Sequence, residues 1–249
     1  MFDVKYHEMP DGRRIAYRHI RGTGPTLVFL PGYMSDMDGG KATALFDWAR
    51  ERGRACLLLD YSGCGKSEGD FADGTLSKWR DEVLALIEAK VEGEVVVIGS
   101  SMGGWLMLLV GAALGERLTG MVGIAAAPDF TEWGYSDEQK AQMAAGETVF
   151  EDNPYGPEPT PTHGCFFADG QAQRQMGGIV PIDAPVRLLH GHRDEDVPWQ
   201  LSLQIAGVLR SDAVQVTFVK DGDHRLSRPQ DIALLLRTVD GLIHDLEHT

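Results

Sequence analysis

Val95-Val96-Val97-Ile98-Gly99-Ser100-Ser101-Met102-Gly103-Gly104-Trp105-Leu106-Met107-Leu108-Leu109 changes character in its middle. Four consecutive aliphatic residues, three of them β-branched valines, read as a strand buried on both faces. The apolar run from Trp105 reads as a buried helix, and the turn between them carries Gly99, Ser101 and Gly103 in the pattern G-x-S-x-G. In a strand-turn-helix setting this pattern has a mechanical meaning. Small neighbours relieve crowding at a sharp turn, so that the serine side chain stands exposed at the end of a sheet. Ser101 is thus a candidate nucleophile.

A serine hydroxyl is a weak nucleophile at neutral pH and needs a base, itself oriented by an acid. After such a turn these follow in the order Asp or Glu, then His. Val186-Arg187-Leu188-Leu189 leads into His190-Gly191-His192-Arg193-Asp194-Glu195-Asp196-Val197-Pro198, and Val214 to Val219 leads into Lys220-Asp221-Gly222-Asp223-His224. His224 is assigned as general base and Asp194 as orienting acid; Glu195, Asp196, Asp221 and Asp223 lie as close in sequence, and the choice of Asp194 among them rests largely on the family resemblance given below. Acyl chemistry also requires two backbone N–H groups aimed at the developing oxyanion. One is expected from Met102, at the start of the helix, and the other from Tyr33 in the loop Leu30-Pro31-Gly32-Tyr33.

Outward from this turn the chain repeats the same alternation. Short apolar runs at 26–30, 55–59, 95–98, 121–125, 186–189 and 214–219 alternate with helical segments at 40–51, 76–91, 102–114, 199–209 and 230–246. Strand, helix, strand in order predicts an α/β architecture, a mostly parallel sheet with helices on both faces and chemistry at the carboxyl ends of the strands. A hairpin turning at Pro10-Asp11-Gly12 precedes it. Residues 128–181 break the rhythm: no strand pattern, five prolines between Pro154 and Pro181, and the aromatics Phe130, Trp133, Tyr135, Phe150, Tyr155, Phe166 and Phe167. A stretch this long without sheet pattern reads as a functional insertion, a lid with a short helix near 137–145. The expected division is core 1–127, lid 128–182 and core 183–249.

The chain has 249 residues, 43% of them hydrophobic, and a formal net charge of −14. That surface makes nucleic acid and anionic membranes poor partners. No apolar run approaches the roughly eighteen residues of a membrane span. The opening Met1 to Glu8 has neither a signal-peptide nor a transit-peptide pattern, which sets the expectation of a cytoplasmic protein. Cys56, Cys64 and Cys165 have no metal-ligand spacing and suggest no disulfide framework. His190 and His192 lack further ligands at usable spacing, and Gly63-Cys64-Gly65-Lys66-Ser67 lacks the first glycine of a phosphate loop, where Asp60 stands. Neither metal nor organic cofactor is expected.

The segments 30–35, Asp60 to Ser67, 77–80, 99–107 (GSSMGGWLM), 187–191, Asp194 to Trp199 and Asp223-His224-Arg225 resemble the α/β-hydrolase superfamily. Within it they resemble the abhydrolase-domain-containing protein ten subfamily. The resemblance implies an α/β-hydrolase fold and palmitoyl-protein thioesterase or acyl-glucuronide esterase activity. Position by position it places the nucleophile on Ser101, the acid on Asp194, the base on His224 and the oxyanion donors on Tyr33 and Met102. The expected activity is hydrolysis of an ester or thioester of a hydrophobic acyl group, carried by a small molecule or an acylated protein. The expected pocket is apolar, lined by Trp105, Phe130, Trp133, Phe166, Phe167 and Trp199. Two other readings stay open: a serine aminopeptidase, with Asp137, Glu138 or Glu147 reading a free amine, and a non-catalytic ligand-binding relative.

Overall fold

A computed structural model describes residues 3–153 and 156–248. The chain opens with β1 (Lys5–Glu8) turned back on β2 (Arg14–Ile20), antiparallel with Lys5 opposite Tyr17. Then follow β3 (Thr23–Leu30), α1 (Gly40–Glu51), β4 (Arg54–Leu59), α2 (Leu76–Lys90), β5 (Val95–Ser100), α3 (Met102–Leu114) and β6 (Leu118–Ile124). After the insertion, β9 (Val186–Gly191), α7 (Gln200–Val208), β10 (Val214–Val219) and α8 (Pro229–Glu247) complete the core. In space the sheet runs β1-β2-β4-β3-β5-β6-β9-β10. From β4 to β10 every neighbouring pair is parallel, and β2 meets β4 antiparallel.

The pleat explains why the central strands are apolar throughout. Val95 and Val97 of β5 face a cluster with α2, α3 and α7, including Trp79, Leu106 and Ile205, whereas Val96 and Ile98 face α1 and α8, including Leu45 and Val239. A strand with helices over both faces has no side to give to polar residues. Edge strand β10 shows the contrast, with Gln215 and Thr217 exposed. Local signals agree with the elements: Thr75 Oγ1 accepts the Lys78 N–H at the start of α2, and α8 begins with Pro229 at its first position.

Between β6 and β9 lie α4 (Phe130–Trp133), α5 (Asp137–Ala144), β7 (Val149–Glu151), β8 (Thr160–Thr162) and α6 (Gly164–Ala172). Here the structure corrects the expectation of no strand. β7 and β8 pair antiparallel with each other only, and at three residues each, with Pro161 in β8, they are too short to leave a period of two. Pro154 and Tyr155 lie outside the described residues. Among those described, no helix is long and apolar enough to cross a membrane.

Candidate active site

Ser101 sits between β5 and α3 with φ 55° and ψ −120°, a conformation that L residues rarely adopt. The turn is possible because its neighbours have no side chains. A Cβ on Gly99 would lie 2.2 Å from the Gly103 carbonyl oxygen, one on Gly103 2.1 Å from that of Leu30, and one on Gly104 2.4 Å from Ala126 Cβ. The backbone then pins the serine. Its N–H donates to Ile124 O at 2.9 Å, and its carbonyl accepts from Gly104 and Ala127 at 2.8 and 3.0 Å. Ser101 occupies the N-cap position of α3, where a serine normally turns its hydroxyl onto the helix's own N–H groups. Here it makes no such bond, and the hydroxyl meets His224 instead.

The loops after β9 and β10 are joined at their base. A Cβ on Gly191 would lie 2.3 Å from Gly222 O, the Arg193 N–H donates to Gly222 O at 2.8 Å, and that of His192 to Val219 O at 2.9 Å. This brings Asp194 and His224 together across thirty positions of chain. His224 Nδ1 lies 2.9 Å from Asp194 Oδ2, so Nδ1 carries the hydrogen and Nε2 is left to accept from Ser101 Oγ at 3.1 Å. Asp194 Oδ1 accepts the N–H groups of Asp196 and Val197 at 3.0 and 2.8 Å, and Oδ2 also receives Nε2 of His190 at 3.0 Å. Burial alone would raise the Asp194 carboxyl, but the hydrogen bonds from His190, His224 and Val197 outweigh it and hold it well below the usual carboxylate range. Of the neighbouring acids, Asp221 pairs with Arg228 and Asp223 accepts the Leu226 N–H. Ligand atoms of Asp194, Asp196 and His224 lie within 4.8 Å of one another, yet those of Asp194 and His224 are already engaged in the bonds just described.

Tyr33 and Met102 line the same cavity as Ser101 and His224, and neither backbone N–H meets an acceptor among the described residues. Gly32 permits the close approach, since a Cβ there would lie 3.3 Å from Ser100 O. The cavity measures about 640 Å³, and its wall on the side of residues 128–182 includes Phe130, Trp133 and Tyr135. The remaining expected lining residues lie elsewhere. Trp105 is fully buried, with its Nε1–H donating to Gln173 O, and Phe166 is sealed between Tyr33, Trp79 and Phe130. Phe167 packs with Met143 and Val149 inside the insertion, and Trp199 packs against His192 and Phe218 beside the sheet edge. Each was expected at the cavity because aromatic residues suit one. The structure instead uses them as the small core that fastens the insertion, or as cover for β10.

Residues 27–233 match the alpha/beta hydrolase family. The mouse mitochondrial palmitoyl-protein thioesterase ABHD10 is 38% identical over 245 residues, covering 96% of this chain and 81% of the relative. The solved structure of alpha/beta hydrolase domain-containing protein 10 from mouse superposes with a TM-score of 0.91 at 35% identity, covering 98% of this chain and 99% of that one. A solved structure from Agrobacterium vitis S4 gives a TM-score of 0.90 at 38% identity, covering 97% and 99%. The chain belongs to the alpha/beta hydrolase family. It is a hydrolase of the ABHD10 type. The same comparison corrects the expectation of a cytoplasmic protein: the mouse and human relatives are mitochondrial proteins, so the character of residues 1–8 does not decide the compartment.

Three features of this hydrolase's site escaped the sequence. His190 reads from the sequence only as half of an H-x-H pair short of ligands, and its bond to Asp194 is visible only once β9 and its loop are folded. Lys41 and Arg225 line the cavity on the His224 side, and burial together with Arg225 pushes the Lys41 ammonium down to about 8. Glu151 and Asp152 also line it, with the Glu151 carboxyl raised by burial. Asp137, Glu138 and Glu147 do not line the cavity.

Proposed function

We propose that this hydrolase cleaves esters or thioesters of a hydrophobic acyl group through an acyl-enzyme on Ser101. The observation that carries the proposal is the continuous relay from Ser101 Oγ through His224 to Asp194, beside a cavity lined by both Tyr33 and Met102. His224 Nε2 takes the Ser101 proton as Oγ attacks the carbonyl carbon, and the Tyr33 and Met102 N–H groups receive the oxyanion. Asp194 stabilises the imidazolium. The tetrahedral intermediate collapses as His224 hands its proton to the departing thiolate or alkoxide. Water then gives a proton to His224 and attacks the acyl carbon, and Ser101 leaves with that proton returned to Oγ.

Residues 128–182 act as the lid over core segments 1–127 and 183–249, and Phe130 and Trp133 bear on the acyl chain. The ABHD10 relatives are palmitoyl-protein thioesterases, which supports a long acyl group and an acylated protein among the substrates. The test is kcat/KM against p-nitrophenyl esters from acetyl to palmitoyl and against a palmitoylated cysteine peptide, with Ser101→Ala alongside. Activity rising with chain length and falling by about 10⁴-fold or more in the variant is the expected result. Activity confined to acetyl and butyryl overturns the long-chain assignment, and preference for aminoacyl anilides makes the chain an aminopeptidase. Failure of Ser101 to react with a fluorophosphonate overturns the nucleophile itself.

A further inference from the structure

The end of β9 holds an imidazole that acyl transfer does not use. His190 is fully buried, and its Nε2 lies 3.0 Å from Asp194 Oδ2 and 3.1 Å from the Val197 carbonyl oxygen. Both are acceptors, so Nε2 carries a hydrogen in either protonation state. Nδ1 lies 2.7 Å from Oγ of Ser202, a buried serine on α7. In the neutral ring Nδ1 is therefore the acceptor and Ser202 the donor. The two acceptors at Nε2 fix the tautomer, and the Ser202 hydroxyl satisfies the Nδ1 that this tautomer leaves as an acceptor.

Oδ2 of Asp194 thus faces two imidazoles, while Oδ1 faces two backbone amides. Rotation of the carboxylate is fixed from both sides, with Oδ2 held toward His224. The oxygen that would attract the His224 proton also shares its charge with a second N–H. Taking that N–H away leaves more negative charge facing His224, which stabilises the imidazolium and raises the pH at which the base becomes free. We infer, on the acyl-transfer reading above, that His190 is a positioning residue that divides the Asp194 carboxylate between two imidazoles, with Ser202 satisfying and holding its Nδ1. Such outer partners of an active group commonly change its performance by about 10–100-fold when removed.

The charged groups that contact His224, adjoin it in sequence or share its cavity are Asp194 and Asp196 from the loop after β9, Asp223 and Arg225 beside it, Lys41 from α1, Asp36 from the loop after β3, and Glu151 and Asp152 from the insertion. None of these is altered in the variants below, so differences between variants report on His190. The experiment is an NMR titration of the His224 ring in the free protein, paired with the pH profile of kcat/KM, for wild type, His190→Leu, His190→Gln and Ser202→Ala. His190→Leu is expected to raise the His224 midpoint by about half a pH unit or more and to lower kcat/KM at pH 7 about tenfold or more. His190→Gln, which brings an amide N–H back toward Oδ2, restores most of both. Ser202→Ala moves both in the same direction by less, and it keeps the test available where His190→Leu does not fold. Equal loss of stability in the Leu and Gln variants with an unmoved His224 midpoint overturns the inference, leaving His190 as a packed core histidine. The titration needs no turnover, so it stands apart from the acyl-transfer reading, which fails separately if Ser101→Ala keeps full activity.

Discussion

Between β5 and α3 the polypeptide is held by its own backbone, whereas between α4 and α6 it is held by side chains reaching into the core. At the serine turn, Gly99, Gly103 and Gly104 let main chain lie against main chain, and three backbone hydrogen bonds fix Ser101. The insertion is fastened instead by polar ties. The Asp129 carboxylate accepts the Gln175 and Met176 N–H groups, the Asp169 carboxylate accepts the N–H and hydroxyl of Ser77, and the Tyr33 hydroxyl donates to Pro161 O. An aromatic cluster of Tyr33, Phe71, Trp79 and Phe166 seals the seam. A site built on backbone tolerates little change in geometry. A wall built on side chains can be altered residue by residue, so on the proposed acyl-transfer reading the chemistry falls to the first region and the choice of substrate to the second.

The largest effect expected lies at the partner of the serine turn, in the loop after β9 that is likewise tied by backbone bonds. Asp194→Asn should lower kcat/KM by about 10⁴-fold for every acyl length, because the His224 tautomer and its imidazolium lose their partner. Stability follows the same carboxylate. Its native value is depressed, so its contribution is present above an unfolded value of about 3.9 and is lost as pH falls below it. The melting-temperature gap between wild type and Asp194→Asn should therefore narrow between about pH 5 and pH 3. A loss confined to long-chain substrates would break the contrast between the two regions.

Asp129→Ala tests the polar ties. It strands two amides on a part-buried strap, removes a side chain that tolerates φ 56°, and should cost about 2–3 kcal/mol, or roughly 5–10 °C in Tm. Asp129→Asn, which keeps one acceptor oxygen and accepts positive φ, should recover part of that loss. An unchanged melting curve would mean that the aromatic seam alone holds the insertion.

Phe130→Ala and Phe166→Ala separate wall from seam within that insertion. Phe130 lines the cavity, and its truncation should reduce kcat/KM for a palmitoyl ester about tenfold while leaving an acetyl ester within about twofold. Phe166 is sealed, and its truncation should cost about 3–5 kcal/mol of stability with no change in the order of substrates. Equal loss on acetyl and palmitoyl esters in Phe130→Ala would move Phe130 from the wall to the seam.

The same contrast explains what could be read before folding. The serine turn, the parallel strands and the helices that cover them leave local marks, such as an unbroken Val95 to Ile98 or Gly at 99, 103 and 104, because each residue answers to its own backbone neighbours. Ser101, Asp194 and His224 lie at strand ends, where such marks converge. The insertion answers to partners far away in sequence. Phe130 and Phe166 are alike as residues, but one borders the cavity and the other is sealed away from it. Nothing local distinguishes them. His190 was hidden for a related reason, since its significance lies in the oxygen it shares with His224.

Lys41 stands where the two regions overlap, on core helix α1 yet lining the cavity beside Arg225, with its Nζ donating to the Arg225 carbonyl at 2.5 Å. Its native value of about 8 lies below that of an unfolded lysine, so between pH 8 and about 10.4 the unfolded chain binds more protons than the folded one. The free energy of unfolding then rises with pH across that window, and below it the penalty of burying the ammonium is constant. Lys41→Met removes the group, so the stability difference of wild type minus variant should shift in favour of wild type by about 1–2 kcal/mol between pH 8 and pH 10. Thermal melts of both proteins at several pH values measure this difference directly, and charges elsewhere cancel between them. A constant difference would mean that water reaches Nζ in the native state. The cationic side of the cavity would then be open to solvent, and exclusion of water from an acyl chain would fall to its apolar lining, Phe130 and Trp133 among it.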